Sequence, residues 1–258
     1  MQKHIKYFFS SPETRTQMLL YYATHDQMMS TLVKKLENFG YRINFSWRLA
    51  HGQYDPIVLS LKNTKGVVGN LKDFFANNAP KANITLSRRA GLASNLHHFL
   101  HELVHFAQDI EGQLNFPMIV KDQPVSLLRE QDFIDLYLFN EAHAATEAIR
   151  ASHRLMIRHN IPEAWWGCYL SRDWHDLSSR YHNDLGNRLN EMHAARRCFE
   201  GWYKLPLRKI YQKKAQMVFS YFKSLSSDYV HADFCMNSFL KDRDYLPSYI
   251  YHSDPVYC

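Results

Sequence analysis

The run HHFLHELVHFAQD, residues 97–109, places four histidines and one glutamate within nine residues, among Leu, Val and Phe. Inside it, His101-Glu102-Leu103-Val104-His105 fits the pattern H-E-x-x-H. On a helix, side chains at i and i+4 lie on one face a turn apart, so two imidazoles can reach one ion. Zinc accepts such nitrogens at about 2.0–2.1 Å. Glu102 follows the first histidine by one step and points beside such an ion rather than at it. From there it can take a proton from a coordinated water, whose pKa zinc lowers toward about 7.

The other two histidines do not fit the same ion. His97 shares the stripe at i−4 from His101. Its eight-residue separation from His105 nevertheless corresponds to about 12 Å of helix axis at about 1.5 Å per residue. His97 and His98 are therefore expected at the rim or surface, and Leu100, Leu103, Val104 and Ala107 are expected to anchor the helix in a core.

A catalytic zinc needs a third protein ligand and an open position for water, and three sources compete. Glu111 stands where H-E-x-x-H-x-x-G-x-x-H enzymes place their last histidine, although Gln108 occupies the position of the turning glycine. Glu141 comes 36 residues after His105, within Asn140-Glu141-Ala142-His143-Ala144-Ala145-Thr146-Glu147. The alanines let two helices approach, and an acidic residue in such a setting needs a partner; an exposed glutamate is the plain alternative. On the same helix His143 could orient a ligand, and Glu147 is expected to be solvated or salt-bridged. The third source is a distant histidine: His153, His159, His175, His182, His193 or His231. None has a helpful spacing, and each is structural or exposed by default.

Working outward, Ser94 or Asn95 offers an N-cap for a helix from Leu96 to Asp109 or Ile110, ended by Gly112 and Asn115-Phe116-Pro117. Upstream, 41–46, 57–62 and 82–87 read as three short strands separated by turn residues, with a short helix over 70–77. The N-terminal section, Pro12 to Phe39, repeats apolar residues at three- and four-residue steps and stops at Gly40. Downstream, residues 125–159 read as a long helix broken once near Gln131. From Pro162 onward the pattern is helical and rich in aromatics. Trp165, Trp166, Trp174 and Trp202 are expected to fix packing between helices. The fold class is α+β: a small sheet with an active-site helix, then a mainly helical C-terminal part. The division is an N-terminal helix over 1–40, a core over 41–160 and a helical region over 161–258 packed on that core.

Composition bounds the alternatives. The 258 residues are 46% hydrophobic and 22% charged, an ordinary globular balance. The net charge of +6 is spread out, and the densest basic run, 207–214, reads as a solvated helix face rather than a phosphate site. No nucleic-acid partner is expected. Cys168, Cys198, Cys235 and Cys258 are far apart and form no C-x-x-C pair, which favours thiols over a disulfide framework. The N-terminal apolar run is too short for a signal peptide, and no stretch approaches membrane-spanning length. The default location is the cytoplasm, with export by a specialised secretion system open. Oligomeric state is not readable.

His101-Glu102-Leu103-Val104-His105 followed by Asn140-Glu141-Ala142-His143-Ala144 resembles the gluzincin branch of zinc metallopeptidases, which join H-E-x-x-H to a glutamate on a later helix. More narrowly, HELVHFAQD with a later EAHAATEA looks like a group of uncharacterised bacterial metallopeptidases carrying H-E-x-x-H-x-x-Q. The likeness covers about fifty residues and implies a zincin-like core, His101, His105 and Glu141 as zinc ligands, and Glu102 as general base and acid. His143 replaces the acidic residue often found two places after that glutamate. The implied activity is peptide-bond hydrolysis on a peptide or protein substrate, with the strand near 82–87 pairing an extended chain at its edge.

Competing classes are weaker. A di-iron carboxylate bundle needs a second E-x-x-H helix, which is missing. Peptide deformylase needs an upstream cysteine ligand, and the first cysteine here is Cys168. A binding or scaffold protein with an inert or structural metal site, including a delivered effector, is the alternative that metal analysis separates.

Overall fold

Ser11 starts α1 (Pro12–Ala23): its Oγ accepts from the Thr14 amide at 3.3 Å, and Pro12 supplies a pre-set φ at the first position. The structure, a computed structural model, describes Tyr7 and residues 10–49, 53–55, 82–110, 118–119, 125–127, 129–224 and 229–231. The expected strand over 57–62, the short helix over 70–77, Glu111, Cys235 and Cys258 lie outside the described residues.

The long helix expected from Pro12 to Phe39 is two helices. Thr24 to Asp26 interrupt it, and Asp26 opens α2 (Gln27–Phe39), its Oδ1 accepting from the Met29 amide at 3.1 Å. The apolar spacing keeps its phase across the break, which is why the sequence reads as one helix. Gly40 ends α2 at φ 85°, a value that L side chains rarely adopt. Asp26 also accepts from Arg154, Nε to Oδ2 at 2.7 Å and Nη2 to Oδ1 at 3.1 Å, and both side chains are largely buried. Asp26→Asn retains a capping oxygen but removes the charge from this two-pronged contact. It is expected to cost about 2 kcal/mol, read as a lower urea midpoint at unchanged slope. An unchanged midpoint would remove the pair from the stabilising contacts.

The chain next builds a three-stranded sheet in the order β1-β3-β2. β1 (Tyr41–Ser46) runs parallel to β3 (Ala82–Ser87), and β2 (Gln53–Asp55) runs antiparallel to it. β1 and β3 coincide with the strands read from alternation. β2 falls among residues expected to turn, because three residues between Gly52 and Pro56 are too few to show a period. β3 pairs along its full length with β1, and over Asn83–Thr85 with β2. It lies between two strands, so the expected edge pairing of a substrate on 82–87 is corrected: among the described residues the edges belong to β1 and β2.

After β3 the chain turns at 88–91 into α3 (Leu92–Ile110). The helix starts earlier than Ser94 or Asn95, and Asn95 is not its cap. The Asn95 amide nitrogen instead donates to the Ser87 carbonyl at 2.9 Å, the Ala90 carbonyl at 3.2 Å and the Tyr7 hydroxyl at 3.1 Å, welding the helix start to the end of β3. Arg15 completes this corner, donating to the Arg88 carbonyl at 3.1 Å while its guanidinium lies over the Tyr7 ring. α3 packs on α1, α2, β2 and β3, and its side chains are buried nearly all round.

A further strand pair, β4 (Met118–Ile119) antiparallel to β5 (Val125–Leu127), precedes α4 (Glu130–His159). The helix expected from 125 therefore begins only at Glu130, and no break interrupts it. Then follow α5 (Pro162–Tyr169), α6 (His175–Gly186), α7 (Glu191–Trp202), α8 (Leu207–Ser224) and β6 (Tyr229–His231), which pairs parallel with β5. The mixed, mainly helical result is an α+β fold.

The chain forms two compact units, Met1–Gly112 with Glu147–Ser178, and Gln113–Thr146 with Ser179–Cys258. The first holds the β1-β3-β2 sheet, α3 and α5. In the second, Phe133 meets Phe219, Phe139 meets Phe199, and Arg197 pairs with buried Asp184 at 2.9 Å. Arg208, Lys209, Lys213 and Lys214 are exposed on α8, the solvated face expected of that run. Among the described residues no helix is long and apolar enough to cross a membrane.

Candidate metal centre

α3 sets out its ligating groups with helical spacing. His101 and His105 face each other one turn apart, with Nε2 to Nε2 at 3.0 Å and ring centroids 4.6 Å apart. One ligand atom from each of His101, Glu102 and His105 lies within 4.8 Å of the others, and all three side chains are buried. Burying three such groups on one helix carries a desolvation cost. A cation among them would offset it, and this group could hold a metal ion. Two nitrogens on one tetrahedral zinc at about 2.0–2.1 Å stand about 3.3 Å apart, so the observed separation fits with a shift of a few tenths of an ångström.

Two neighbours orient the pair. Gln108, also buried, meets His105 Nδ1 through its amide oxygen at 2.7 Å. Trp174 lies edge-on to the His101 ring, with centroids 5.2 Å apart, and also touches the His97 ring at 5.4 Å. The sequence expectation for Trp174 as helix packing is thus incomplete, because it packs on a candidate ligand. Nothing in the sequence links a tryptophan this far from the H-E-x-x-H run to it. Gln108 stands at i+3 from His105, a spacing that on a helix brings the two side chains together. Trp165 and Trp202 are buried as expected, whereas Trp166 is exposed.

His97 and His98 are not rim residues; both are buried. Helix rise excludes His97 from the ion of His105 but does not expose it, because α5, α4 and Trp174 cover that side. His97 Nδ1 lies 3.4 Å from Ser152 Oγ on α4. Its Nε2 has no hydrogen-bond partner among the described residues. Burial first, then the neighbouring His98 and His101 rings, hold its pKa well below the ordinary 6.5. In the folded protein His97 stays neutral, whereas in the unfolded chain it takes up a proton as pH falls through about 6.5. Below that value the unfolded state binds more protons, so stability is complete above about pH 6.5 and falls as acid is added. Urea melts of metal-free protein between pH 7.5 and 5 are expected to lose stability, with His97→Phe flattening the slope. A variant slope equal to wild type would remove His97 as the source.

Glu141 is buried on α4. The unit boundary falls between Thr146 and Glu147, so Glu141 belongs to the second unit and the histidine pair to the first. His143, also buried, stacks on Phe139 at 6.0 Å. Glu147 is buried and salt-bridged, Oε1 accepting from Arg150 Nη1 at 2.6 Å. Of the distant histidines, His159, His175, His182 and His193 are exposed and His153 is half-buried against Trp165. Cys168 and Cys198 are buried thiols.

No known protein family, curated protein or solved structure matches this chain.

Proposed function

We propose that this chain is a zinc-dependent metallopeptidase of the gluzincin type. His101 and His105 are its metal ligands and Glu102 its general base, with Glu141 the third ligand only as the resemblance implies. The observation that carries the reading is the buried, convergent group of His101, Glu102 and His105 on one helix, with the two Nε2 atoms facing each other. The two nitrogens and a carboxylate are a donor set that suits zinc.

Zinc held there supplies a Lewis acid that lowers the pKa of water and polarises a carbonyl. The chain's own residues do the rest. Glu102 takes a proton from the attacking water and returns it to the leaving amine, so one carboxylate serves as base and then acid. Its burial keeps bulk water from competing for that proton. His101 and His105 are fixed by Trp174 and Gln108. An extended substrate can pair with β2, which is an edge of the sheet among the described residues and runs antiparallel to β3 beside α3.

Purified protein is expected to carry about one zinc ion per chain, and to cleave unfolded casein in a reaction that a chelator stops and added zinc restores. Chelation is also expected to lower the melting midpoint, because an ion that binds only the folded state stabilises it by mass action. Metal-free protein with no chelator-sensitive cleavage would leave the inert-motif reading, a binding or scaffold protein, in its place.

A further inference from the structure

We propose that Gln108 is a positioning residue that sets the tautomer of His105 and so presents its Nε2 as a bare lone pair toward a metal ion. The inference deepens the metallopeptidase reading and rests on it for the identity of the ion, though not for the state of the ring.

The chemistry follows from which atoms can donate. The Gln108 amide oxygen accepts only, so the 2.7 Å contact requires the proton on His105 Nδ1. In a neutral ring Nε2 then carries the lone pair. The second contact agrees: His105 Nε2 lies 3.0 Å from His101 Nε2, and with His105 as acceptor the hydrogen belongs to His101. The chain of donors runs from His101 to His105 to Gln108. An ion entering between the rings takes the place of the His101 proton while the Gln108 contact stays intact. Ligating histidines are commonly held this way, through the ring nitrogen that does not touch the metal.

The fold explains why glutamine serves. α3 continues through Ile110, so Gln108 stays on the helix, one turn beyond His105 and on its face. A glycine there would leave the Nδ1 proton without this acceptor.

The test uses the full chain with 15N-labelled histidine, comparing wild type, Gln108→Met and Gln108→Glu. Two-bond proton–nitrogen spectra of metal-free protein read the tautomer directly. Wild type and Gln108→Glu are expected to hold His105 as the Nδ1–H form, and Gln108→Met, close in volume, to populate the Nε2–H form. Co2+ titration against a competing chelator is expected to show a 10–100-fold loss of affinity in Gln108→Met, recovered in Gln108→Glu. An unchanged His105 tautomer in Gln108→Met overturns the proposal, as does a changed tautomer with wild-type Co2+ affinity. If wild type binds neither Co2+ nor Zn2+, the metallopeptidase reading fails, and the tautomer spectra still decide the role of Gln108. A merely structural glutamine would lower the melting midpoint of metal-free protein without moving the ring proton.

Discussion

Glu102→Gln is expected to lower the chelator-sensitive hydrolysis rate by about 10²–10⁴-fold, the usual worth of a general acid–base group, and to leave zinc content unchanged. Glutamine has almost the same shape as glutamate, so the buried position beside His101 still fills. What is lost is the ability to accept a proton. By transition-state arithmetic the loss corresponds to about 3–5 kcal/mol of barrier. It should fall on kcat rather than KM, because a proton acceptor acts in the transition state and contributes little to holding the substrate. The zinc measurement gives the variant its discriminating power. Glu102 lies within ligand distance of the histidine pair, so a carboxylate that bound the ion would also explain its burial. A variant that loses both activity and zinc makes Glu102 a ligand; one that keeps both sinks the general-base assignment.

What the sequence could reveal followed from the range of the interaction. The His101–His105 pair was legible because one helical turn brings it together, whatever the rest of the chain does. β1 and β3 were legible because alternation runs for six residues in each. The start of α3 was misread because Asn95, a good capping residue, spends its side chain on the Ser87 and Ala90 carbonyls instead. That use depends on the strand before it, not on local preference. The surroundings of His97 and His98 were misread for a similar reason. Their place along the helix axis rules out a shared ion, but what covers His97 comes from Ser152, Gly167 and Trp174, more than fifty residues later in the chain. Period and spacing carry no record of such partners.

The same cover makes Gly167 the position where a small change is expected to do the most damage to the fold. A Cβ added there would collide with the Ala93 carbonyl and press on His97 Cβ, at the crossing of α5 and α3. The obstacle is backbone, so no side-chain rotation relieves it and one helix must move. Gly167→Ala is expected to cost about 1–3 kcal/mol, the usual range for overpacking, even though alanine favours a helix over glycine by about 1 kcal/mol. Gly167→Leu is expected to leave little folded protein at 37 °C, because a typical domain is stable by only about 5–15 kcal/mol. The effect should also reach the metal site. α5 leads through the turn at Ser171 to Trp174, whose ring lies against His101 and His97. A displaced α5 carries that turn with it, and the His101 ring loses its edge contact. Gly167→Ala should therefore weaken Co2+ binding as well as lower the melting midpoint, and Trp174→Leu should reproduce the first effect with a smaller share of the second. Gly167→Ala at wild-type stability would show that α5 and α3 have room between them, and the close crossing would lose its place in the account of how His97 and His101 are held.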